Sequence, residues 1–169
     1  PCIDSGDPVI IDPWDQTPCE QGALPYTDAA PLVFCQAKVT SMGCTPEIGF
    51  TGTPCLTGAD DFLITAENLP NRRNGLVVWS FFPNRETFAG GLLCVQPPLN
   101  RTAMESTGGN SGRTLDCSGS LSFHLSQSFM SDNSLSYGQT IYTQFIFRDP
   151  EFGHPDTLGT TEGLRVTIC

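Results

Sequence analysis

Apolar and polar residues alternate most regularly in three segments of the second half of the chain: 119–126, 139–148 and 162–169. A period of two places every second side chain on the same face of an extended strand. In the first segment Leu121, Phe123 and Leu125 share one face, and serines share the other face with His124. Each segment therefore predicts a strand with one buried side. The third segment places three residues inward: Leu164, Val166 and Ile168.

Four further runs are rich in β-branched or aromatic residues and are bounded by Gly, Pro and Asn, which is typical of strands. They lie at 32–39, 61–66, 75–82 and 90–95. Because proline cannot donate to a strand ladder, we expect one strand to end before Pro97 and another before Pro150. Gly90 and Gly91 predict a bulge or a close backbone approach.

Seven or eight short strands separated by turn-rich loops predict an all-β fold, an antiparallel β-sandwich of jelly-roll-like form. No stretch has a helical repeat of useful length, which excludes parallel α/β folds. With 169 residues and 38% hydrophobic content, the chain can build one core and has little left for a second. We therefore expect one domain and an arm.

The arm is marked by a shift in composition near Cys35. Residues 1–34 hold six acidic residues, six prolines and no Lys or Arg, whereas residues 35–169 hold 12 acidic and 8 basic residues. The first segment buries too little apolar surface to offset an ordering cost of about 1–2 kcal/mol per residue. The sequence therefore predicts an extended N-terminal arm, 1–34, and a β-sandwich domain, 35–169.

One stretch of the arm is apolar enough to dock on a protein surface. Its candidate contact residues are Val9, Ile10, Ile11 and Trp14. The sequence leaves open whether they pack on their own domain or form a subunit contact with a neighbouring copy.

Eight cysteines are scattered through the chain: Cys2, Cys19, Cys35, Cys44, Cys55, Cys94, Cys117 and Cys169. None of them forms a CxxC pair, so the spacing is typical of disulfides and not of zinc sites. This predicts a disulfide-stapled protein that is secreted and acts outside the cell or at its surface. Many pairings are open to eight cysteines; we expect Cys2–Cys19, Cys35–Cys169, Cys44–Cys55 and Cys94–Cys117.

The net charge of −10 and a pI near 4.3 exclude nucleic acid as a favoured partner, because phosphate recognition depends on positive charge. No apolar run approaches the roughly 20 residues that a membrane-spanning helix needs. The N-terminus has no basic region followed by an apolar stretch, so we expect that any signal peptide has been removed.

Patterns for catalysis are weak. The two histidines, His124 and His154, are not accompanied by a GxSxG motif. The triplet Asp4-Ser5-Gly6 matches half of an aspartic-protease signature, but a second copy is missing. We therefore expect no enzyme activity and no catalytic residue.

Spaced carboxylates give the only metal hypothesis. They are Asp60 and Asp61 in the domain, and Asp4, Asp7, Asp12 and Asp15 in the arm. Ca²⁺ takes about six to eight oxygen ligands, which such residues supply. The spacing of neither set matches an EF-hand or a related calcium repeat, so we favour solvated acidic loops and no cofactor.

Aromatic residues on strands offer a second binding hypothesis. Six of them are candidates for a sugar-stacking face: Trp79, Phe81, Phe82, Tyr137, Tyr142 and Phe145. Alternation along a strand places about half of such residues in the core, so core packing is the competing interpretation.

Five ordered motifs carry a resemblance to a known family. They are 35–48 (CQAKVTSMGCTPEI) followed by Gly52-Thr53-Pro54, 88–95 (FAGGLLCV) with Pro98, Leu99 and Arg101, 116–119 (DCSG), 147–150 (FRDP) and 162–169 (EGLRVTIC). In this order they resemble a cysteine-rich exported domain that recurs in planctomycete and myxobacterial proteins, usually at their C-terminal end and without an assigned activity. The resemblance covers residues 35–169. It implies export and an all-β module, and it supplies no catalytic residue.

Two positions depart from that family. Many relatives have a cysteine where Thr143 stands and a small residue such as serine where Cys55 stands. This difference implies a re-routed disulfide, and Cys44 is the expected shared partner.

Three classes of function are compatible with these observations. We favour a secreted structural or interaction protein that self-associates into an extracellular filament or surface layer, in which the arm binds the next copy. The alternative is an extracellular adhesion or carbohydrate-binding module that recognises a polysaccharide or a cell surface. A hydrolase would need His124 or His154 in a concave site beside a nucleophile or paired acids.

Overall fold

Antiparallel strands form nearly all of the regular structure. The computed structural model describes residues 30–111 and 114–169. The strands are β1 (Leu32–Phe34), β2 (Glu47–Thr51), β3 (Leu63–Leu69), β4 (Asn74–Ser80), β5 (Pro83–Phe88), β6 (Gly91–Val95), β7 (Asn100–Arg101), β8 (Glu105–Ser106), β9 (Gly119–His124), β10 (Thr140–Arg148) and β11 (Leu158–Thr167). A helix, α1 (Gln127–Asp132), and a 3₁₀ turn, Pro150–Phe152, complete the elements. The candidate arm contacts Val9, Ile10, Ile11 and Trp14 lie outside the described residues.

The strands form two sheets and a separate hairpin. A central sheet has the order β1-β11-β10-β4, and the short strands β7 and β8 pair with β4. A second sheet has the order β2-β3-β9, and β5 pairs with β6. Every pair is antiparallel, so the predicted all-β antiparallel fold is confirmed.

The hydrophobic core lies between the central sheet and the second sheet. Strand β10 contributes Ile141, Phe145 and Phe147, which point to the same side of the sheet. The partners from the second sheet include Ile64 and Ala66 on β3. Five of the inward positions predicted from alternation are buried: Leu121, Leu125, Leu164, Val166 and Ile168. The sixth, Phe123, is partly buried against the core. Apolar side chains from two facing sheets therefore form the sandwich.

A β-bulge bends β11 in its middle. Gln144 pairs with Gly163 and Ile146 pairs with Thr160, so two residues of β11 oppose Phe145 alone. The Phe145 N–H, which the bulge leaves without a ladder partner, donates to the hydroxyl of Thr161 at 3.1 Å. Beyond the bulge, β11 pairs with β1.

The predicted strand ends are correct where proline follows. Strand β6 ends at Val95 and β10 ends at Arg148. Four strands were not predicted, β2, β5, β7 and β8, because they are short or mostly polar: β5 reads PNRETF. Helix α1 is six residues long and begins where the Ser126 hydroxyl accepts the Phe129 N–H at 3.1 Å.

The disulfides join Cys35 to Cys94, Cys44 to Cys117 and Cys55 to Cys169. The expected pairs Cys35–Cys169, Cys44–Cys55 and Cys94–Cys117 are therefore wrong, and so is the expectation that Cys44 is the shared partner. The Cys2–Cys19 pair lies outside the described residues. Cys169 meets the loop after β2, where its N–H donates to Pro54 at 3.0 Å. Neighbours in space, not in sequence, set the pairing.

Residues 32–34 of the predicted arm form β1 and pair with β11. The ring of Phe34 lies over the backbone of Gly163, where a Cβ atom would be 2.5 Å from the ring. None of the helices in the described ranges is long and apolar enough to cross a membrane.

Candidate functional site

The two faces of the central sheet are covered differently. One face packs on the second sheet and forms the core. The opposite face, called the outer face below, carries the even-numbered residues of β10, among them Gln144 and Ile146, and Leu76 and Val78 of β4. The hairpin β5–β6 covers one part of the outer face. The rest is open.

A buried glutamine fixes the hairpin to the sheet. The Gln144 amide group donates to the carbonyls of Leu92 at 3.1 Å and Thr161 at 2.7 Å. Its carbonyl oxygen accepts the Cys94 N–H at 3.0 Å. One side chain on β10 therefore holds both β6 and β11 by directional bonds, and the Cys35–Cys94 disulfide reinforces the same contact.

The single lysine of the chain is a second such cross-link. Lys38 is 7% exposed, and its ammonium donates to the carbonyls of Ala89 at 2.6 Å, Asp156 at 2.8 Å and Leu158 at 2.9 Å. The Phe152 ring lies 4.1 Å from the nitrogen. All three N–H donors are used, so Lys38 acts as a structural clamp on the hairpin tip.

The hairpin tip has the geometry that a two-residue turn requires. Ala89 and Gly90 both have positive φ, 47° and 74°, as in a type I′ turn. The next residue, Gly91, approaches so closely that a Cβ atom there would be 2.8 Å from Cβ of Lys38. The predicted close backbone approach at Gly90 and Gly91 is therefore confirmed.

The open part of the outer face is a cleft of about 260 Å³, called the arginine cleft below. The central sheet forms its floor, and its wall includes Phe88 of the hairpin and the loop residues Leu99 and Met104. Arg101 at the end of β7 and Arg148 at the end of β10 stand at its rim. The described residues that line it are Asn74, Gly75, Leu76, Val78, Phe88, Leu99, Arg101, Met104, Ile146, Phe147, Arg148 and Leu158.

The arginine cleft combines an apolar floor with unneutralised positive charge. Arg101 and Arg148 are exposed, and among the described residues neither guanidinium makes a hydrogen bond or an ion pair. Within residues 30–111 and 114–169, no carboxylate lines this cleft, although the chain has 18 acidic residues. The groove beside β3 and β9 is different, since Glu67 and Glu105 line it. An apolar ligand that carries negative charge suits the arginine cleft.

The two histidines do not form a catalytic arrangement with a nucleophile in the described part of the chain. His124 is at the surface, and its Nε2 lies 3.0 Å from the Asp60 carbonyl and 3.2 Å from the Asp60 carboxylate. His154 is exposed in the loop before β11. Neither lines any of the clefts described for this protein.

The domain carboxylates considered for Ca²⁺ accept hydrogen bonds from the backbone. Asp60 accepts the Gln127 N–H at 2.9 Å, and Asp61 accepts the Thr53 N–H at 3.2 Å. Across residues 30–111 and 114–169, no cluster of three or more His, Cys, Asp or Glu side chains is arranged to hold a metal ion. Asp4, Asp7, Asp12 and Asp15 lie outside these ranges.

The six aromatic candidates are divided between the core and the surface. Trp79 and Phe145 are buried in the core, and Tyr142 contacts the ring of Phe34 edge to face at 5.6 Å. The exposed members are Phe81, Phe82 and Tyr137. Core packing is therefore the correct interpretation for Trp79 and Phe145.

Sequence reasoning did not give the cleft arginines a role. Both stand in motifs that carry the family resemblance, Arg101 after the 88–95 motif and Arg148 in FRDP. The feature that could have identified them is their position, because each lies at the end of a strand in a chain with few basic residues.

Comparison of the chain with protein-family models, curated proteins and solved structures finds no match. The resemblance of residues 35–169 to the planctomycete and myxobacterial domain stays a prediction.

Proposed function

We propose that this is a secreted structural protein that self-associates, a subunit of an extracellular filament or surface layer whose N-terminal arm binds the neighbouring copy. The observation that carries the proposal is the open edge of β1. Within the described residues, β1 pairs only with β11, and Leu32 and Val33 are 50% and 43% exposed. An open edge next to the arm supports addition of a segment from another chain.

Among the described residues, the outer strands β2 and β9 of the second sheet and the far edge of the central sheet are partly shielded. The Ile48 N–H of β2 donates to the Glu162 carboxylate at 3.0 Å. The Ser120 N–H of β9 donates to the Thr107 carbonyl at 2.8 Å. Strands β7 and β8 have two residues each. This contrast supports β1 and its surroundings as the region where copies meet.

The length of the arm also supports contact between copies. The 29 residues before Ala30 have a contour length of about 100 Å when fully extended. A body the size of Pro31–Cys169 has a radius of gyration of about 14 Å. A segment of this contour length is long enough to reach a neighbouring copy, and a head-to-tail contact that does not close on itself propagates as a filament.

Secretion is supported by the disulfides, because three disulfides in a chain of this size are typical of oxidising compartments. A thiol assay of the native protein under denaturing conditions tests this part. We expect no free thiol from the six described cysteines. Six reactive thiols would contradict extracellular localisation.

Light scattering and electron microscopy test the self-association. Full-length protein should form assemblies that grow with concentration. A shortened chain that begins at Pro31 keeps β1 and all three described disulfides, and it should remain monomeric. Far-ultraviolet circular dichroism and thermal unfolding serve as the control that the shortened chain is folded. Equal assembly by the shortened chain would contradict a role for the arm.

A carbohydrate-binding or adhesion module is the second candidate. The exposures of Phe82 (63%) and Tyr137 (71%) favour it, because exposed aromatic rings stack on sugars. A pull-down with insoluble polysaccharide should then lose binding when Phe82→Ala and Tyr137→Ala are combined. Unchanged retention by the double variant, or no retention of the native protein, would rule out this role.

A further inference from the structure

We propose that the arginine cleft of one copy binds residues 8–15 of the arm of the next copy. The inference rests on the proposed function, since it names an acceptor for residues 8–15 of the arm in addition to the open edge of β1. The segment reads PVIIDPWD, and Asp7 precedes it. It brings apolar side chains and carboxylates together, which is the composition that the cleft matches.

Charge complementarity is the first argument. The arm carries six carboxylates and no Lys or Arg, and Asp12 and Asp15 flank its only tryptophan. Arg101 and Arg148 stand at the cleft rim without a partner among the described residues. In a chain of net charge −10, the approach of an acidic segment is favourable only where basic residues are locally in excess. The arginine cleft is such a place.

The apolar floor is the second argument. Leu76 and Ile146, which are half-buried, form part of it together with the buried Val78. An apolar cavity of about 150 Å³ accommodates one benzene ring, so a cleft of about 260 Å³ has room for a large side chain such as Trp14 or for two aliphatic ones. Aromatic side chains in such pockets commonly dominate the energy of an interface.

The prolines of the segment distinguish the cleft from the β1 edge. Pro8 and Pro13 are separated by an odd number of positions, so in an extended strand their nitrogen atoms point to opposite sides. If this segment paired along β1, one of the two prolines would face the ladder without an N–H to donate. A cleft that binds side chains does not have this requirement.

A charge-swap experiment on the full-length chain tests the inference. One variant carries Arg101→Glu and Arg148→Glu, and the other carries Asp12→Lys and Asp15→Lys. Each variant alone places like charges together and should lose association by on the order of 100-fold. An equimolar mixture should recover it, because each reversed partner then meets its complement. Sedimentation velocity at low and at high salt measures both effects, and salt should weaken the native association.

A matched control reverses Arg85 on β5, which lines none of the described clefts. Arg85→Glu changes the net charge by the same amount as Arg101→Glu or Arg148→Glu alone, and it should leave association within about twofold of native, whereas each single cleft variant should weaken association. Thermal unfolding checks that all variants are folded.

Tryptophan fluorescence gives an independent readout. The chain has two tryptophans, and Trp79 is buried in the core. Association should therefore protect Trp14 from acrylamide quenching, and the Arg101→Glu/Arg148→Glu variant should lose this protection. A Trp14→Phe variant supplies the Trp79 baseline.

The outcomes separate the two proposals. If the native full-length protein is monomeric at all concentrations, both proposals fail. If it associates but the Arg101/Arg148 variant associates equally well, the cleft is not the acceptor and the proposed function survives. Loss of association in the Arg85→Glu control with an unaffected cleft variant would assign the contact to the β5–β6 hairpin and would also overturn the cleft proposal. A mixture that fails to recover association would also overturn the cleft proposal.

Discussion

The central sheet has two faces, and adjacent residues of β10 show how differently they are built. Phe145 points into the core against the second sheet, whereas Gln144 and Ile146 point to the outer face. The core face is closed mainly by apolar contact. The outer face is closed in one part by hydrogen bonds to the hairpin and left open in another as the arginine cleft.

The difference suggests two roles: the core face stabilises the fold, and the outer face presents a surface for binding. Burial of apolar area is non-directional, so it stabilises the sandwich without fixing one atom against another. Buried amide and ammonium groups form directional hydrogen bonds, and the protein loses folding stability when one of their partners is missing. Lys38 and Gln144 therefore fix the position of the hairpin, and Leu76 and Ile146 beside it remain half-buried in the cleft.

Truncating one side chain on each face of β10 should give the largest change in the free energy of unfolding and the clearest contrast between the faces. Phe145→Ala should lower the free energy of unfolding by about 3–5 kcal/mol, because it opens a cavity in the core. Ile146→Ala, one residue further on, should lower it by about 1 kcal/mol, because its side chain already borders solvent. Urea denaturation of both variants measures the difference. Equal losses would mean that the outer face is packed as a second core, contrary to the open cleft.

Removing the lysine clamp should have the next largest effect. Lys38→Met keeps the length of the side chain but leaves three carbonyl groups without their donor, and we expect a loss of about 3 kcal/mol. Hydrogen exchange should show faster opening in the β5–β6 hairpin and little change in the second sheet. Arg85→Met, at an exposed position of β5, is the matched control and should change stability by less than about 0.5 kcal/mol. A uniform loss of protection in both regions would contradict a local clamp.

Replacing the buried amide should have a smaller effect of the same kind. Gln144→Leu leaves the Cys94 N–H and two carbonyls unpaired, but it adds apolar burial, so we expect a loss of about 2 kcal/mol. Urea denaturation measures it, and Gln36→Leu at an exposed position is the control. A combined Lys38→Met/Gln144→Leu variant should deviate from additivity, since both residues hold the same hairpin. Stability unchanged by Gln144→Leu would show that the disulfide alone places β6.

The same contrast explains what the sequence could predict. Alternation identified the core face correctly, since Leu121, Leu164 and Val166 are inward in any sandwich that buries one side of each strand. The contacts of the outer face could not be predicted from alternation. Its contacts join residues far apart in the chain, such as Lys38 with Leu158, and the identity of a polar residue does not indicate its partner.

The disulfide pairing and the arginine cleft could not be predicted from the sequence for the same reason. Cysteine spacing indicated oxidation, but pairing depends on which loops meet, and Cys169 meets Cys55 only because β11 runs past the loop after β2. Arg101 and Arg148 are 47 positions apart in sequence, and they reach one cleft because β7 and β10 lie on either side of β4.

The smallest expected effect concerns a loop that belongs to neither face, before β9. The Ser118 hydroxyl, the Asn110 amide and the Ser118 N–H donate to the Asp116 carboxylate, and with the nearby charge of Arg72 they hold the pKa of Asp116 below its usual value. A depressed folded-state pKa adds stability above the unfolded-state pKa, and this stability is lost as the pH falls through the folded-state value. Acid should therefore open this loop while both faces of the central sheet remain closed.

Carboxyl NMR shifts and exchange of the Ser118 amide, followed from neutral to about pH 2, measure the opening of the loop. The control is Asp116→Asn, which does not titrate. If the native protein and the variant had the same pH profile at Ser118, the carboxylate would not hold the loop. If the hairpin opened at the same pH, the acid sensitivity would not be specific to this loop.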